Sequence, residues 1–388
     1  MKPKELSTTL VLIMAVATGV SVASLYYAQP LLPTMAQAFG ISPARAGFIV
    51  TTAQLGYGLG LLLIVPLGDL MERRGLVVGM TLLAAAGLAL TALAPSMTLV
   101  LVGTALTGLF SVVAQILVPF AATLAAPERR GKVVGTVMSG LLLGILLART
   151  VAGGLASLGS WRIVYWVGAA AMLVTAAVLR RALPRYHEPL GLTYPGLIRS
   201  IFTLFREEPV LRLRALVGAT VFGAFAALWT SMSFLLAAPP YGYSAGAIGL
   251  FGLVGMAGAL AASGAGRLGD RGHGASATGW GLVILLLSWG ALAFAPRSLA
   301  ALVAGLLLLD LAVQGVHISN QAAIYRIRPE ARNRLTAGYM TCYFIGGAAG
   351  STLSASAYGM AGWAGVTAVG AAISAAGLAS WGILRNAS

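Results

Sequence analysis

Apolar residues along this 388-residue chain gather into twelve long runs separated by short polar breaks. The runs lie at 9–33, 45–68, 76–95, 98–124, 132–156, 161–179, 213–238, 244–268, 275–295, 298–325, 335–358 and 362–384. About 20 apolar residues of helix cross the hydrocarbon core of a bilayer, so the pattern predicts twelve membrane-spanning helices. Proline, glycine or charge marks the breaks, as at Ala94–Pro95–Ser96, Pro127–Glu128–Arg129–Arg130 and Pro239–Pro240. The longest polar stretch, 180–212, separates six runs from six. It predicts an N-terminal bundle at 1–179, a cytoplasmic linker at 180–212 and a C-terminal bundle at 213–388. Met1–Leu25 imitates a secretory signal, but no small-residue cleavage site follows and the apolar pattern continues, so it reads as helix 1.

Composition agrees with this pattern. The chain is 59% hydrophobic and 9% charged, where a soluble domain carries about a quarter charged residues, and its mean hydropathy is +0.90. The fold class expected is all-α: a polytopic membrane protein of two pseudo-symmetric six-helix bundles. A net charge of +15 raises nucleic acid as a partner. The cations, however, occupy short loops between apolar runs, as topology determinants do. Of the 25 Lys and Arg, 21 fall on the side shared by the two termini, counting Arg212 and Arg214 as loop residues. Arg45, Arg162 and Arg297 fall on the other side, and Arg149 lies within a run. That asymmetry places both termini in the cytoplasm. The lone Cys342 rules out an intrachain disulfide, and three histidines, with His187 and His273 in loops, argue against a metal site. No nucleotide-binding loop or nucleophile–base set occurs, so neither ATP, another cofactor nor an enzymatic reaction is expected.

Two charges stand out because they are deep. Arg149 lies in GKVVGTVMSGLLLGILLARTVAGG, 17 residues beyond Lys132, and Asp310 lies 16 residues before Arg326. At 1.5 Å per residue both are about 25 Å from the cytoplasmic helix ends, so they can share a level. A charge at that depth must face a partner, a cavity or water. In one reading the two form a structural ion pair. In the other Asp310 exchanges a proton as the protein alternates, under the influence of Arg149 in one state and of desolvation in the other. Asp310, Gln314, His317 and Gln321 recur at helical spacing on one face, and such a stripe should face a cavity. His317 reads either as a hydrogen-bonding residue or as a second titrating group. Small residues at Gly135, Gly144 and Ala148 allow close helix approach, and the glycines at 249, 252, 255, 258, 346, 347 and 350 mark an interface between halves or plain packing.

The halves echo each other. Pro66–Leu67–Gly68–Asp69 with Glu72–Arg73–Arg74–Gly75 closes the second run, and Gly266–Arg267–Leu268–Gly269–Asp270–Arg271 closes the eighth. Paired repeats around a central site are the plan of secondary transporters. The 6+6 arrangement, both loop signatures and the linker resemble the major facilitator superfamily, across essentially the whole chain. Helix 1 ends in Tyr26–Tyr27–Ala28–Gln29–Pro30–Leu31–Leu32–Pro33, similar to the helix-1 proline motif of the bacterial twelve-helix drug:proton antiporter branch. Helix 5 resembles that branch's signature, with Gly135, Gly144 and Gly153 in register. Its characteristic Gly-Pro is replaced here by Ala148–Arg149, and Thr104 stands where helix 4 of the branch usually carries an arginine. The first-half loop also departs from the signature, with Val65–Pro66 in place of a glycine and Leu70 in place of a basic residue.

The resemblance implies a conformational latch at Asp69, Arg73, Asp270 and Arg271. It implies a central cavity lined by helices 1, 4, 7 and 10, with substrate-binding candidates Tyr27, Gln29, Gln115, Trp229, Gln314, His317, Gln321 and, from helix 11, Tyr339. Tyr and Trp can instead sit in interfacial belts. Arg149 would take over the electrostatic role of the missing helix-4 arginine, with Asp310 as the proton-coupling acid. The function so implied is proton-coupled efflux of a small amphipathic compound across the bacterial cytoplasmic membrane by a monomer, with no nucleic-acid partner. Efflux of sugars or other hydrophilic metabolites is the alternative within transport, and a membrane sensor or scaffold the alternative outside it.

Overall fold

A computed structural model describes residues 7–187, 193–269, 274–328 and 331–384; the side chains of 261–275 fall outside that description. The described residues form fourteen α-helices and two short 3-10 segments. In the first half these are α1 (Thr8–Ala23), α2 (Leu32–Phe39), α3 (Pro43–Leu63), α4 (Arg73–Leu93), α5 (Met97–Phe110), α6 (Val113–Leu124), α7 (Arg130–Ala156) and α8 (Trp161–Ala182). A linker helix α9 (Tyr194–Glu207) leads to α10 (Pro209–Ala237), α11 (Ala245–Gly269), α12 (Gly274–Ala293), α13 (Leu299–Ile324) and α14 (Arg332–Leu384).

Twelve crossings result once the interruptions are read. Nine helices among the described residues are long and apolar enough to cross a membrane, and the shorter Thr8–Ala23 and Ala245–Leu260 are also apolar. The 53-residue α14 counts twice, because Ala361 and Gly362 leave helical geometry inside it, Gly362 at φ 58°. Two further crossings are broken midway. The first runs from α1 through a 3-10 turn at Gln29–Leu31 into α2, so it extends to Phe39 rather than ending near 33. The fourth breaks between α5 and α6 at Ser111 and Val112. The two breaks meet, with Ser24 Oγ and Ser111 Oγ 2.9 Å apart, and Ser24 Oγ also donates to Ser21 O. A backbone freed from helical bonding within a membrane needs such partners.

Packing follows the small residues. A Cβ on Gly144 would run into the Gly19 backbone, so α7 lies directly on α1. Gly135, by contrast, is exposed and has open space where its Cβ would be, so it makes no close helix approach. Gly346 and Gly350 seat α14 on Ala219 and Gly223 of α10, within one half, whereas Gly347 meets Gln54 of α3 and Gly249 and Gly252 meet α7, between the halves. α10 is buried along nearly its whole length and forms the centre of the C-terminal half.

The stretch expected to be a plain polar linker contains an amphipathic helix. Leu197, Ile201 and Leu204 of α9 are buried. Tyr194 Oη donates to Leu63 O of the first half, while Glu207 and Glu208 pair with Arg328 of the second at 2.9 and 2.7 Å. Beside it, Glu72 caps α4. Partial burial pushes that carboxyl up, but the N–H groups of Gly75, Arg74 and Tyr186 outweigh it and hold the group below its ordinary range.

Candidate functional site

One end of the molecule is sealed between the halves. Thr51 Oγ1 lies 3.0 Å from Thr352 Oγ1 and 3.3 Å from Ser351 Oγ, Gly47 packs on Ala355, and Thr150 Oγ1 donates to Gly249 O at 2.9 Å. Away from this seal the halves part around a cavity of about 510 Å³. It runs from Arg149 and Asp310 at its apex to exposed Arg332 and Asn333, beside the loops that join α3 to α4 and α13 to α14.

At the apex the two charges contact one indole, that of Trp229. Arg149, 3% exposed, places its guanidinium 3.8 Å from the Trp229 ring centroid, 4.8 Å from Tyr26 and 5.4 Å from Phe225. The Trp229 Nε1–H donates to Asp310 Oδ1 at 3.3 Å. No ion pair within 4.0 Å joins Arg149 to Asp310 among the described residues, so the direct structural pair is not what forms. They nevertheless meet at one place, on the same Trp229 side chain, Arg149 at its face and Asp310 at its Nε1–H edge.

Neither charge is fully satisfied. Arg149 Nε donates to Gln29 Oε1 at 2.5 Å and Nη1 reaches Ile145 O only at 3.5 Å. Arg149 Nη2 and Gln29 Nε2 are buried without partners. Asp310, 4% exposed, accepts its one hydrogen bond among the described residues from Trp229, although a carboxylate has about four acceptor sites. An aromatic cage offsets part of the cost of burying a guanidinium, by about 2 kcal/mol per desolvated contact. It does not replace a counter-ion.

The glycine stripe of α11 supplies the room. Gly249 and Gly252 lie against the Arg149 backbone and Cβ, Gly258 lies against the Asp310 Cβ, and a Cβ on Gly255 would strike Asp310 Oδ2 and the Trp229 ring. The α11 helix therefore seats both charged residues at once, one on α7 and one on α13.

Beyond geometry, the sequence itself has relatives. The family model described as "Major Facilitator Superfamily" matches residues 14–286, more than half of the chain. The chain belongs to the Major Facilitator Superfamily. It is 61% identical over 377 residues to a chain of Escherichia coli O157:H7 named "Uncharacterized transporter YgaY", covering 97% of this chain and 96% of that one. It is 37% identical over 366 residues to a Streptomyces coelicolor chain named "Probable transporter SCO4007", covering 93% of this chain and 84% of that one. Among solved structures, a bacterial homolog to the human lysosomal transporter Spinster, in an inward-facing and unoccupied conformation, superposes with a TM-score of 0.80. That match is at 15% identity and covers 98% of this chain and 97% of the other. The chain is thus a multi-pass membrane transporter of small molecules, and its fold is that of the superfamily.

Within this superfamily fold the expected site residues divide into groups. Asp310, Gln314, His317 and Gln321 all line the cavity, as does Gln115, which donates to Tyr57 Oη at 3.4 Å. Trp229, Gln29 and Tyr339 stand behind the wall. Tyr339 Oη holds His317 Nδ1 at 3.0 Å and accepts from Asn320 Nδ2 at 3.4 Å. Tyr27 does not join them; its ring packs towards Gly168 of α8, and Tyr26 faces Arg149 instead. Both tyrosines lie in the turn between α1 and the 3-10 segment at Gln29–Leu31, and there only Tyr26 is turned towards the apex. At the mouth, Asp69 Oδ1 and Arg73 Nη2 are 3.7 Å apart, and Arg73 Nε also donates to Gly68 O. Asp270 and Arg271 lie outside the described residues.

Several contributors were absent from the expected set. Phe222, Phe225 and Tyr343 line the cavity, and Phe222 stacks on Tyr343 at 4.2 Å. Phe222, Phe225 and Trp229 lie three and four residues apart, which would have shown them sharing one face of α10. Arg214, counted as a loop cation, is instead buried within α10 at 8% exposure, with Nη1 on Thr278 Oγ1 at 2.8 Å and on Asn320 Oδ1 at 3.1 Å.

Proposed function

We propose that this chain is a proton-coupled exporter of a small amphipathic compound, working by alternating access with Asp310 as the proton carrier and Arg149 as its electrostatic partner. The observation that carries the reading is the pair of incompletely satisfied opposite charges that share Trp229, at the closed apex of a cavity. Intramembrane charges of this kind mark ion and substrate pathways. A group that alternates between open and sealed surroundings has the differential environment that coupling requires. The aromatic wall of Tyr26, Phe222, Phe225 and Tyr343 suits an apolar body, and the amides and imidazole beneath it supply oriented hydrogen bonds.

The protein works as a monomer in the bacterial cytoplasmic membrane, with both termini inside. On that orientation the cavity faces the cytoplasm, and the sealed Thr51–Thr352 end is the outer gate. The bundles 1–179 and 213–388 rock about the apex, linked by 180–212, with Asp69 and Arg73 of the mouth acting as a latch. The antiporter resemblance supports efflux as the direction. A hydrophilic cargo such as a sugar is the second reading, favoured by Gln115, Gln314 and Gln321 along the wall.

Purified protein in liposomes tests the proposal. A pH gradient of the physiological sign is imposed, and proton flux is followed with a pH-sensitive dye on adding ethidium, L-phenylalanine or L-arabinose. Flux with an amphipathic probe that disappears in Asp310→Asn supports the reading. Flux with L-arabinose alone moves it to the sugar class, and cargo flux indifferent to Asp310→Asn removes the coupling.

A further inference from the structure

The charges at the apex specify more than a carrier of protons. Resting on the reading above, we propose that the site binds a zwitterion with an apolar body, its carboxylate on Arg149 and its ammonium on Asp310.

Three observations carry this. The first is that both signs of charge line the same apex without closing on each other as an ion pair, Arg149 lying over the face of the Trp229 indole and Asp310 at its Nε1–H edge. An ion pair closed on itself would offer a ligand nothing. Two charges held apart offer one head group two complementary ends. The second is that each charge has capacity to spare: Arg149 Nη2 has no acceptor, and Asp310 accepts one hydrogen bond. Arginine presents its donors as a planar fork that matches a carboxylate, and a carboxylate takes an ammonium at one or both oxygens. The third is the remainder of the apex, where Tyr26, Phe222, Phe225 and Tyr343 form an aromatic wall. A cargo of one sign fits less well. An amphipathic cation on Asp310 meets the uncompensated guanidinium, and an anion on Arg149 meets the nearby carboxylate.

The exchange balances. The proton on Asp310 leaves to the water of the cavity mouth as the cargo ammonium replaces it at the carboxylate, so one proton is released for each zwitterion bound. No covalent bond other than the Asp310 O–H is broken. Loading from one side and protonation from the other then exclude each other at Asp310, which is what exchange transport needs.

Calorimetry on the purified full chain tests the proposal with L-phenylalanine and the dipeptide Phe-Phe, each beside its N-acetyl derivative (anion only) and its methyl ester (cation only). Each zwitterion should bind about tenfold or more tightly than both of its derivatives, since each charge-assisted contact is worth about that factor. Arg149→Gln should bring the zwitterion down to the level of the ester, with ester binding retained. Asp310→Asn should bring it down to the N-acetyl derivative, whose binding is retained. The retained binding shows that each variant is folded. No preference for either zwitterion over both derivatives, or no binding of any compound, overturns the proposal. Proton release, read in parallel, separates the two readings: zwitterion preference without release overturns proton coupling and leaves the cargo class standing. Release by an ester alone overturns the cargo class and leaves coupling standing.

Discussion

Arg149 and Arg214 are both buried arginines without an acidic partner within 4.0 Å among the described residues, yet the protein treats them oppositely. Arg214 lies near the start of α10, over the Trp381 ring at 4.5 Å, and gives its Nη1 to Thr278 and Asn320. Asn320 returns a bond to the Arg214 carbonyl, so the cation is fastened within one bundle. Arg149 sits where the halves meet, at the cavity apex, with a buried N–H left unused. A satisfied buried cation stabilises the packing around it. An unsatisfied one is a cost retained where something else can answer it. Depth alone does not tell a functional charge from a structural one; the completeness of its partner set does.

That contrast can be broken by exchanging each arginine for glutamine. Arg149→Gln should weaken zwitterion binding by about 10- to 100-fold, the loss of a charged hydrogen bond, while leaving the detergent melting temperature unchanged or raised. Arg214→Gln should do the reverse. It leaves Thr278 and Asn320 short of a donor and should cost about 1–3 kcal/mol of stability, seen as a lower melting temperature with cargo affinity unchanged.

The contrast can be sharpened through the helix that seats the apex. Gly255→Ala pushes a methyl group towards Asp310 Oδ2 and the Trp229 ring. Overpacking of that kind costs about 1–3 kcal/mol, and here it should fall on the site. Binding should drop several-fold, measured by calorimetry, with the surroundings of Arg214 undisturbed. The smallest effect is expected at the seal. Thr51→Val removes the hydroxyl contacts to Ser351 and Thr352. At about 0.5–1.5 kcal/mol per hydrogen bond, the open-outward population should rise a few-fold. Labelling of Ala355→Cys in a Cys342→Ser background reads that change.

How much of this was legible in the sequence depends on what sets each feature. The twelve crossings were, because lipid forbids unsatisfied backbone and enforces long apolar runs. The common level of Arg149 and Asp310 was also legible, since helix rise converts residue count into depth. Their relation through Trp229 was not, because rotation of α10 against α7 and α13 is set by packing that no single segment encodes. Tyr26 and Tyr27 show the same limit on a smaller scale: helix 1 breaks after Ala23, and which tyrosine faces inward depends on that break. Arg214 was hidden by a boundary. α10 begins at Pro209 rather than near 213, so Arg214, counted at the edge of its run as a loop cation, lies more than a helical turn inside the helix. The α9 helix escaped because its apolar residues are too few to resemble a span, although Leu197, Ile201 and Leu204 carry helical spacing.

The central claim is that Asp310 carries a proton that the cargo displaces. It is tested most directly by proton release from purified protein, in weakly buffered detergent solution, on addition of a cargo found to bind. Wild type and Arg214→Gln should each release about one proton per cargo bound, and Asp310→Asn should bind with no release. Release that persists in Asp310→Asn would contradict the account, and binding by wild type without release would reduce Asp310, Trp229 and Arg149 to architecture.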